Sequence, residues 1–224
     1  MHAFKYQRAS SANDAAAAVA KNSEARFLAG GQSLVQAMKL RLSSPSDLID
    51  LGGVKDLAGI KTEGSGVTIG AMTRHAEVAG SAEVKKTIPA LAALAGTIGD
   101  RQVRNMGTLG GALANSDPAA DYPAAVLGLG ATINTNKRKI AADDFFKGLF
   151  ETALQPGELI TSVTFPAAKR AAYMKFKNQA SRFAIVGVFV ADTGNGVRVA
   201  VTGAGPCAFR SKELEAALSK SFTA

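Results

Sequence analysis

Strand-like and amphipathic runs follow one another along the first 55 residues. Residues 4–8 alternate between polar and apolar side chains, and residues 25–28 and 47–51 form short apolar runs typical of strands. Ser11 can cap an alanine-rich helix that runs to about Lys21. A second amphipathic stretch, residues 35–42, is stopped by Ser43-Ser44-Pro45. This order predicts one small lobe built of alternating strands and helices.

The pattern changes after residue 55. Hairpin strands are predicted at 56–63 and 67–72, helices at 75–80, at about 82–96 and at 119–129, and further strands near 131–134 and at 159–165. Asp117-Pro118 would cap the third of these helices, with the proline in its first position. In the tail, apolar strands at 184–191 and 197–201 flank a turn, and Ser211 can cap a helix at 212–219. The chain is therefore expected to be α+β.

Two glycine-rich segments carry the candidate chemistry. Ala29-Gly30-Gly31-Gln32-Ser33 joins a predicted strand to a predicted helix, and Gly107-Thr108-Leu109-Gly110-Gly111 repeats the glycine pair beside a hydroxyl. Glycine leaves no side chain between the backbone amides and a ligand, and amides at a helix start favour anions. One glycine pair more often marks a simple turn. Two such segments suggest a diphosphate held from two sides.

Composition excludes several other classes of protein. The chain has 224 residues with one cysteine and two histidines, which rules out an internal disulfide, a cysteine-ligated cluster and a plausible structural zinc site in this sequence. The formal net charge is +8, but the basic residues are scattered and only 6% of residues are aromatic, so nucleic-acid binding is disfavoured. No apolar stretch has the length of a membrane span or the character of a signal peptide. We expect a cytoplasmic protein.

Several ordered motifs resemble the medium, flavin-binding subunit of the molybdenum hydroxylases, the family of aerobic carbon monoxide dehydrogenase and xanthine dehydrogenase. The motifs are the two glycine segments, Met38-Lys39-Leu40-Arg41, Asp117-Pro118-Ala119-Ala120-Asp121-Tyr122-Pro123, Gly157-Glu158-Leu159-Ile160 and Ala180-Ser181-Arg182-Phe183-Ala184. The resemblance implies a two-lobed FAD-binding fold of the vanillyl-alcohol-oxidase (PCMH) type over residues 1–168, with lobes at about 1–55 and 56–168. Residues 169–224 would then belong to a C-terminal flavoprotein domain that looks incomplete.

The same resemblance implies a set of FAD-binding residues. They are Leu28, Ala29, Gly30, Gly31, Gln32, Ser33 and Leu34 in the first lobe, and Thr108, Leu109, Gly110, Gly111, Ala112, Asp121, Ile160, Lys175 and Phe183 beyond it, with Lys177 as the alternative to Lys175. Phe183 would cover the isoalloxazine ring, where relatives carry a tyrosine. Without the resemblance, Asp121 could be a carboxylate at the start of a helix with no role in binding, Lys175 could be a solvent-facing strand residue, and Phe183 could belong to the core.

The chain departs from the family pattern at three positions. Ala112 replaces a common asparagine, Arg101 stands where a proline is common, and Phe183 lacks the tyrosine hydroxyl. By analogy, the chain would be an electron-transfer subunit that receives electrons from [2Fe-2S] clusters on a small subunit, with molybdopterin on a large subunit, in a dimer of heterotrimers. The alternatives are a self-sufficient flavin oxidoreductase of the same fold and a basic nucleotide- or nucleic-acid-binding module without redox chemistry.

Overall fold

A computed structural model describes residues 1–221. The first lobe consists of β1 (Lys5–Arg8), α1 (Ala12–Ala20), β2 (Ala25–Leu28), α2 (Leu34–Lys39) and β3 (Asp47–Asp50). Its strands form a parallel sheet in the order β1-β3-β2. The Ser11 hydroxyl caps α1 by accepting a hydrogen bond from the Asp14 amide at 3.1 Å, as predicted. Alanines on α1, Ala15 among them, let this helix lie close against the sheet.

The second lobe is built on a five-stranded antiparallel sheet in the order β4-β5-β10-β6-β7. The strands of the lobe, including the small β8-β9 pair, are β4 (Ile60–Glu63), β5 (Gly66–Gly70), β6 (Thr132–Thr135), β7 (Lys139–Ala141), β8 (Phe146–Gly148), β9 (Glu151–Thr152) and β10 (Ile160–Phe165). Its helices are α3 (His75–Gly80), α4 (Ala82–Thr87), α5 (Pro89–Gly96), α6 (Arg101–Met106), α7 (Leu109–Asn115), α8 (Tyr122–Leu129) and α9 (Ala142–Phe145), after a 3₁₀ turn at Lys55–Leu57.

Two predicted helices have different bounds. The single helix expected at 82–96 is wrong, because Pro89 disfavours helical geometry at Ile88, which takes φ −142° and ψ 74°, and α5 starts anew at the proline. The helix expected at 119–129 begins only at Tyr122. Asp117 instead closes a turn by accepting a hydrogen bond from the Ala119 amide at 2.9 Å. The early proline of this helix is therefore Pro123, not Pro118.

The remaining strands form an antiparallel C-terminal sheet. It contains β11 (Arg170–Lys177), β12 (Ala184–Asp192), β13 (Val197–Thr202) and β14 (Phe209–Arg210), followed by α10 (Lys212–Lys220). The β12–β13 hairpin and the Ser211 cap of α10 confirm the sequence prediction, whereas β11 was expected only in the alternative interpretation of Lys175 as a strand residue. The domain boundary predicted at residue 168 lies in the connection between β10 and β11 and stays a prediction.

One hydrophobic core joins the second lobe to the C-terminal sheet. Helix α8 is apolar and buried on every side, and it packs against β12 and β13. At Gly128 an added Cβ would lie 2.6 Å from the Phe189 ring, so this aromatic side chain rests directly on the helix backbone. Phe189 and Ala200 consequently belong to the same buried cluster as Val126.

Candidate cofactor-binding cleft

The first glycine segment presents a run of free amides. Among the residues that the structure describes, the backbone N–H groups of residues 30–34 donate to no protein acceptor, and Ser33 does not cap α2 with its side chain. Gly31 takes φ +71°, the left-handed geometry that glycine adopts without strain. Consecutive unpaired amides in such a turn form a concave site for an anion. The local sequence therefore builds an anion cradle here.

The second glycine segment is mostly occupied by its own hydrogen bonds. The Leu109 amide donates to Thr73 O at 3.0 Å and the Gly110 amide to Ala71 O at 2.8 Å. The Gly111 amide donates to Thr108 Oγ1 at 3.2 Å. Of the amides from residue 108 to residue 112, only that of Thr108 has no protein partner within the described residues 1–221. The two segments are thus unequal, and most of the unpartnered backbone donors lie in the first.

Close contact between the segments explains why residue 30 is a glycine. A Cβ added to Gly30 would overlap the Met106 carbonyl oxygen and lie 2.8 Å from the Gly107 Cα. A Cβ added to Gly111 would come 3.5 Å from the Cβ of Ala29. The backbones of the two lobes therefore touch at this point, and the cleft opens directly beside the contact.

The cleft has a volume of about 330 Å³, near the lower end of the range of about 300–1,000 Å³ for small-molecule sites. Eleven of the sequence-predicted residues line it: Ala29, Gly30, Gly31, Gln32, Ser33, Leu34, Thr108, Gly110, Gly111, Ala112 and Ile160. Sequence reasoning did not propose several others that share the lining, chiefly Arg26, His75, Asn115 and Glu158. The chain signals nothing special at the first three of these, whereas Glu158 belongs to a motif that was recognised.

The other predicted residues lie outside this lining. Leu109 is fully buried in the core, and Leu28 ends β2. Asp121 and Lys175 pair with each other at 2.9 Å in a buried position, and the Tyr173 hydroxyl donates to the second Asp121 oxygen at 2.5 Å. Burial raises the pKa of Asp121, against the opposing effect of Tyr173 and Lys175.

Phe183 stands just before β12 with 45% of its surface exposed. This exposure rules out the interpretation of Phe183 as a core residue. Its ring is available to a ligand or a partner.

Two titratable groups border the cleft with perturbed pKa values. Burial, with a smaller contribution from Arg104, lowers the pKa of His75 to about 4. Burial also acts on Glu158, but hydrogen bonds led by one from Arg138 at 3.0 Å outweigh it and lower its pKa. At neutral pH the histidine is therefore neutral, and the carboxylate is ionised and fully engaged.

Two structural features are absent from the described part of the chain. Residues 1–221 contain no group of three or more His, Cys, Asp or Glu side chains placed to hold a metal ion. None of the helices in the same range is both long and apolar enough to cross a membrane.

The cleft beside the contact between the two lobes, with its run of unpartnered amides, has the character of a site for an anionic ligand. The comparison with protein families makes this specific, since residues 2–168 match the family described as "FAD binding domain in molybdopterin dehydrogenase". The chain belongs to this family, is the flavoprotein subunit of an oxidoreductase and has FAD as its cofactor.

Known relatives support the same assignment along most of the chain. The glyceraldehyde dehydrogenase medium chain of Sulfolobus acidocaldarius is 38% identical over 95% of this chain and 79% of its own length. The carbon monoxide dehydrogenase medium chain of Afipia carboxidovorans is 40% identical over 86% and 70%. The solved carbon monoxide dehydrogenase of Hydrogenophaga pseudoflava has a chain that superposes with a TM-score of 0.90 at 37% identity, covering 96% of this chain and 79% of that one. The expected two-lobed fold and family are thereby confirmed.

Proposed function

We propose that the cleft binds the diphosphate of FAD, with the amides of residues 30–34 as its principal donors. The observation that carries the proposal is the run of five consecutive amides without a protein partner, in a segment that lines the cleft beside the contact between the lobes. An anion in this cradle would receive several backbone hydrogen bonds at once, and hydrogen bonds to charged groups are the stronger kind. The Thr108 amide adds one donor from the opposite side.

The proposal extends to electron transfer within a molybdenum hydroxylase complex. Bound FAD supplies a two-electron carrier, and the protein provides orientation and electrostatics. The two perturbed groups at the cleft supply no proton acceptor for substrate chemistry. Neither Glu158, which is held ionised by Arg138, nor His75, with a pKa of about 4, is tuned as a proton acceptor near neutral pH. A self-sufficient flavin oxidoreductase would need such a group beside the ring.

Four predicted residues away from the amide run have proposed roles at the rest of the cofactor. We propose that Phe183 covers one face of the isoalloxazine ring, which its exposure permits. Asp121 and Lys175 are tied to each other, and this pairing supports a role in positioning β11 beside the cofactor. Ile160, which lines the cleft, would contact the adenine or the ring system of FAD.

The proposed partners are a large molybdopterin subunit and a small subunit with [2Fe-2S] clusters, assembled as a cytoplasmic dimer of heterotrimers. Medium chains of multi-subunit dehydrogenases among the relatives support this arrangement. Affinity purification of the chain from its native host tests it. Molybdenum and iron that co-purify in stoichiometric amounts are expected, and a chain that purifies alone with its own FAD-linked substrate oxidation would favour the self-sufficient alternative.

Gly31→Asp tests the cradle itself. The new carboxylate would repel the diphosphate, so we expect the FAD content of the purified chain, read from the ratio of flavin to protein absorbance, to fall at least tenfold. Gly64→Asp is the matched control, because Gly64 has a similar φ of +58° and nothing within 4 Å of its added Cβ. It should retain wild-type flavin. If both variants retained the flavin content of the wild type, residues 30–34 would not belong to the site.

A further inference from the structure

His75 is a buried polar side chain whose ring borders the cleft. Only 4% of its surface is exposed, and its Nδ1 has no hydrogen-bond partner among the described residues. Its ring packs against Tyr122 with the centroids 5.3 Å apart. A buried polar atom without a partner costs free energy, and an apolar residue of similar size would fill this position without that cost. Packing alone therefore does not explain why an imidazole occupies this position.

The opposite edge of the imidazole lies where the two lobes meet. A Cβ added to Gly107 would be 2.5 Å from His75 Nε2, so this nitrogen rests against the Gly107 backbone. Gly107 in turn touches Gly30, the start of the free-amide run. The His75 amide donates to Gly107 O at 3.0 Å, which fixes the residue at this point. Nε2 is thus the ring nitrogen that can reach the cleft.

The protonation state follows from these surroundings. Burial and the nearby Arg104 guanidinium keep the ring neutral at physiological pH, so it carries a single N–H. A proton on Nδ1 would make this atom a buried N–H donor without an acceptor. Such a donor is rarer and more costly than a buried nitrogen acceptor that receives no hydrogen bond. The proton therefore belongs on Nε2, beside the cleft.

We propose that His75 is an additional FAD-binding residue, whose neutral imidazole donates its Nε2–H to an oxygen of the diphosphate on the side opposite residues 30–34. The inference rests on the proposed placement of the diphosphate in the cleft. It adds a side-chain donor to a site that otherwise consists of backbone amides. It also explains why a polar ring is kept in a nearly closed position.

Nitrogen-15 NMR of the imidazole groups is the direct test. The chain has only two histidines, so spectra of the wild type and of His75→Gln assign the His75 signal. We expect an Nε2–H tautomer whose proton moves downfield and exchanges more slowly when FAD is added to the apoprotein. A proton on Nδ1, or an Nε2–H signal unchanged by FAD that is demonstrably bound, overturns the inference and leaves the proposed function intact. If the wild type binds no FAD, the proposed function fails and this inference fails with it.

Three variants give the binding readout. His75→Gln can place an amide N–H near Nε2 and should keep the FAD dissociation constant within about threefold, whereas His75→Asn, whose amide sits nearer Nδ1, should raise it about tenfold or more. Tyr122→Phe removes the neighbouring unpartnered hydroxyl without entering the cleft, and should leave FAD affinity unchanged. Equal affinity of the Gln and Asn variants refutes the donor role. Thermal melting of each apoprotein separates loss of binding from loss of fold.

Discussion

Gly30→Ala should separate the two lobes at their contact by adding a single methyl group. The substitution adds one methyl group at the point where the first glycine segment meets the second. That methyl group would overlap the Met106 carbonyl oxygen and stand 2.8 Å from the Gly107 Cα. Both of these neighbours are backbone atoms, so no side-chain rotation can relieve the contact.

The geometry sets the size of the effect. Carbon atoms in contact prefer separations of about 3.5–4.0 Å, so the backbones must move apart by roughly 0.7 Å or more. Overpacking of this kind costs about 1–3 kcal/mol. The free protein can relax by opening the cleft, whereas a diphosphate held from both sides requires the closed contact. We therefore expect most of the cost to appear in binding, as an FAD dissociation constant raised by about tenfold to a hundredfold.

The assay is FAD titration of the apoprotein, followed by flavin fluorescence, with thermal melting alongside. Gly80→Ala serves as the control, because a Cβ at Gly80 meets nothing within 4 Å and alanine is favoured over glycine in a helix by about 0.5–1 kcal/mol. It should bind FAD as the wild type does. If Gly30→Ala bound FAD with wild-type affinity while melting normally, the contact between the lobes would not belong to the FAD site.

Further predictions follow from groups near the cleft and the C-terminal sheet. The pKa of His75 is lowered to about 4 from 6.5, so the unfolded state takes up the proton first as pH falls. Between pH 7 and pH 4.5, the free energy of unfolding of the wild type, measured in urea, should therefore fall by about 2–3 kcal/mol more than that of His75→Gln. Lys175→Met should lower the free energy of unfolding by about 3–5 kcal/mol, because it leaves the buried Asp121 carboxylate without its cation. The double variant Lys175→Met with Asp121→Asn should recover part of that loss. Phe183→Ala should change flavin absorption and reoxidation rate at a stability cost near 1 kcal/mol, since the ring is half exposed; a large stability loss with an unaltered spectrum would contradict the ring-cover role.

Local signals accounted for most of the fold. Alternation, caps and turn residues predicted the first-lobe elements, the β12–β13 hairpin and α10, because in these places the local pattern and the final packing agree. Two helix predictions failed where prolines and aspartates can serve two structures, and the strand expected at 56–63 begins only at Ile60, after a 3₁₀ turn. Asp117-Pro118 has the composition of a helix start, yet it forms a turn that delays α8 until Tyr122. Strand β11 was expected only in an alternative interpretation, because its exposed face carries Met174 and Phe176 rather than polar residues.

The parts of the site that depend on the backbone geometry of glycine could be predicted from the sequence. Glycine pairs identified both segments, but sequence could not show that the amides of Leu109 and Gly110 are already used by the chain. That occupancy depends on residues 71–73, some 36 positions earlier in the sequence, and such pairing is decided by tertiary packing. His75 escaped notice for the same reason, since a single histidine at a helix start carries no local mark of burial.

The shared core between α8 and the C-terminal sheet limits how this chain could be recombined with its relatives. A chimera that keeps residues 1–168 and takes the remainder from a homologue would separate Gly128 from Phe189 and Asp121 from Lys175. The foreign segment would have to supply an aromatic ring that fits the bare helix backbone and a cation that reaches the buried carboxylate. Exchange at the boundary of the matched family region is therefore an exchange across a packed interior, and it should succeed only with donors that carry both side chains.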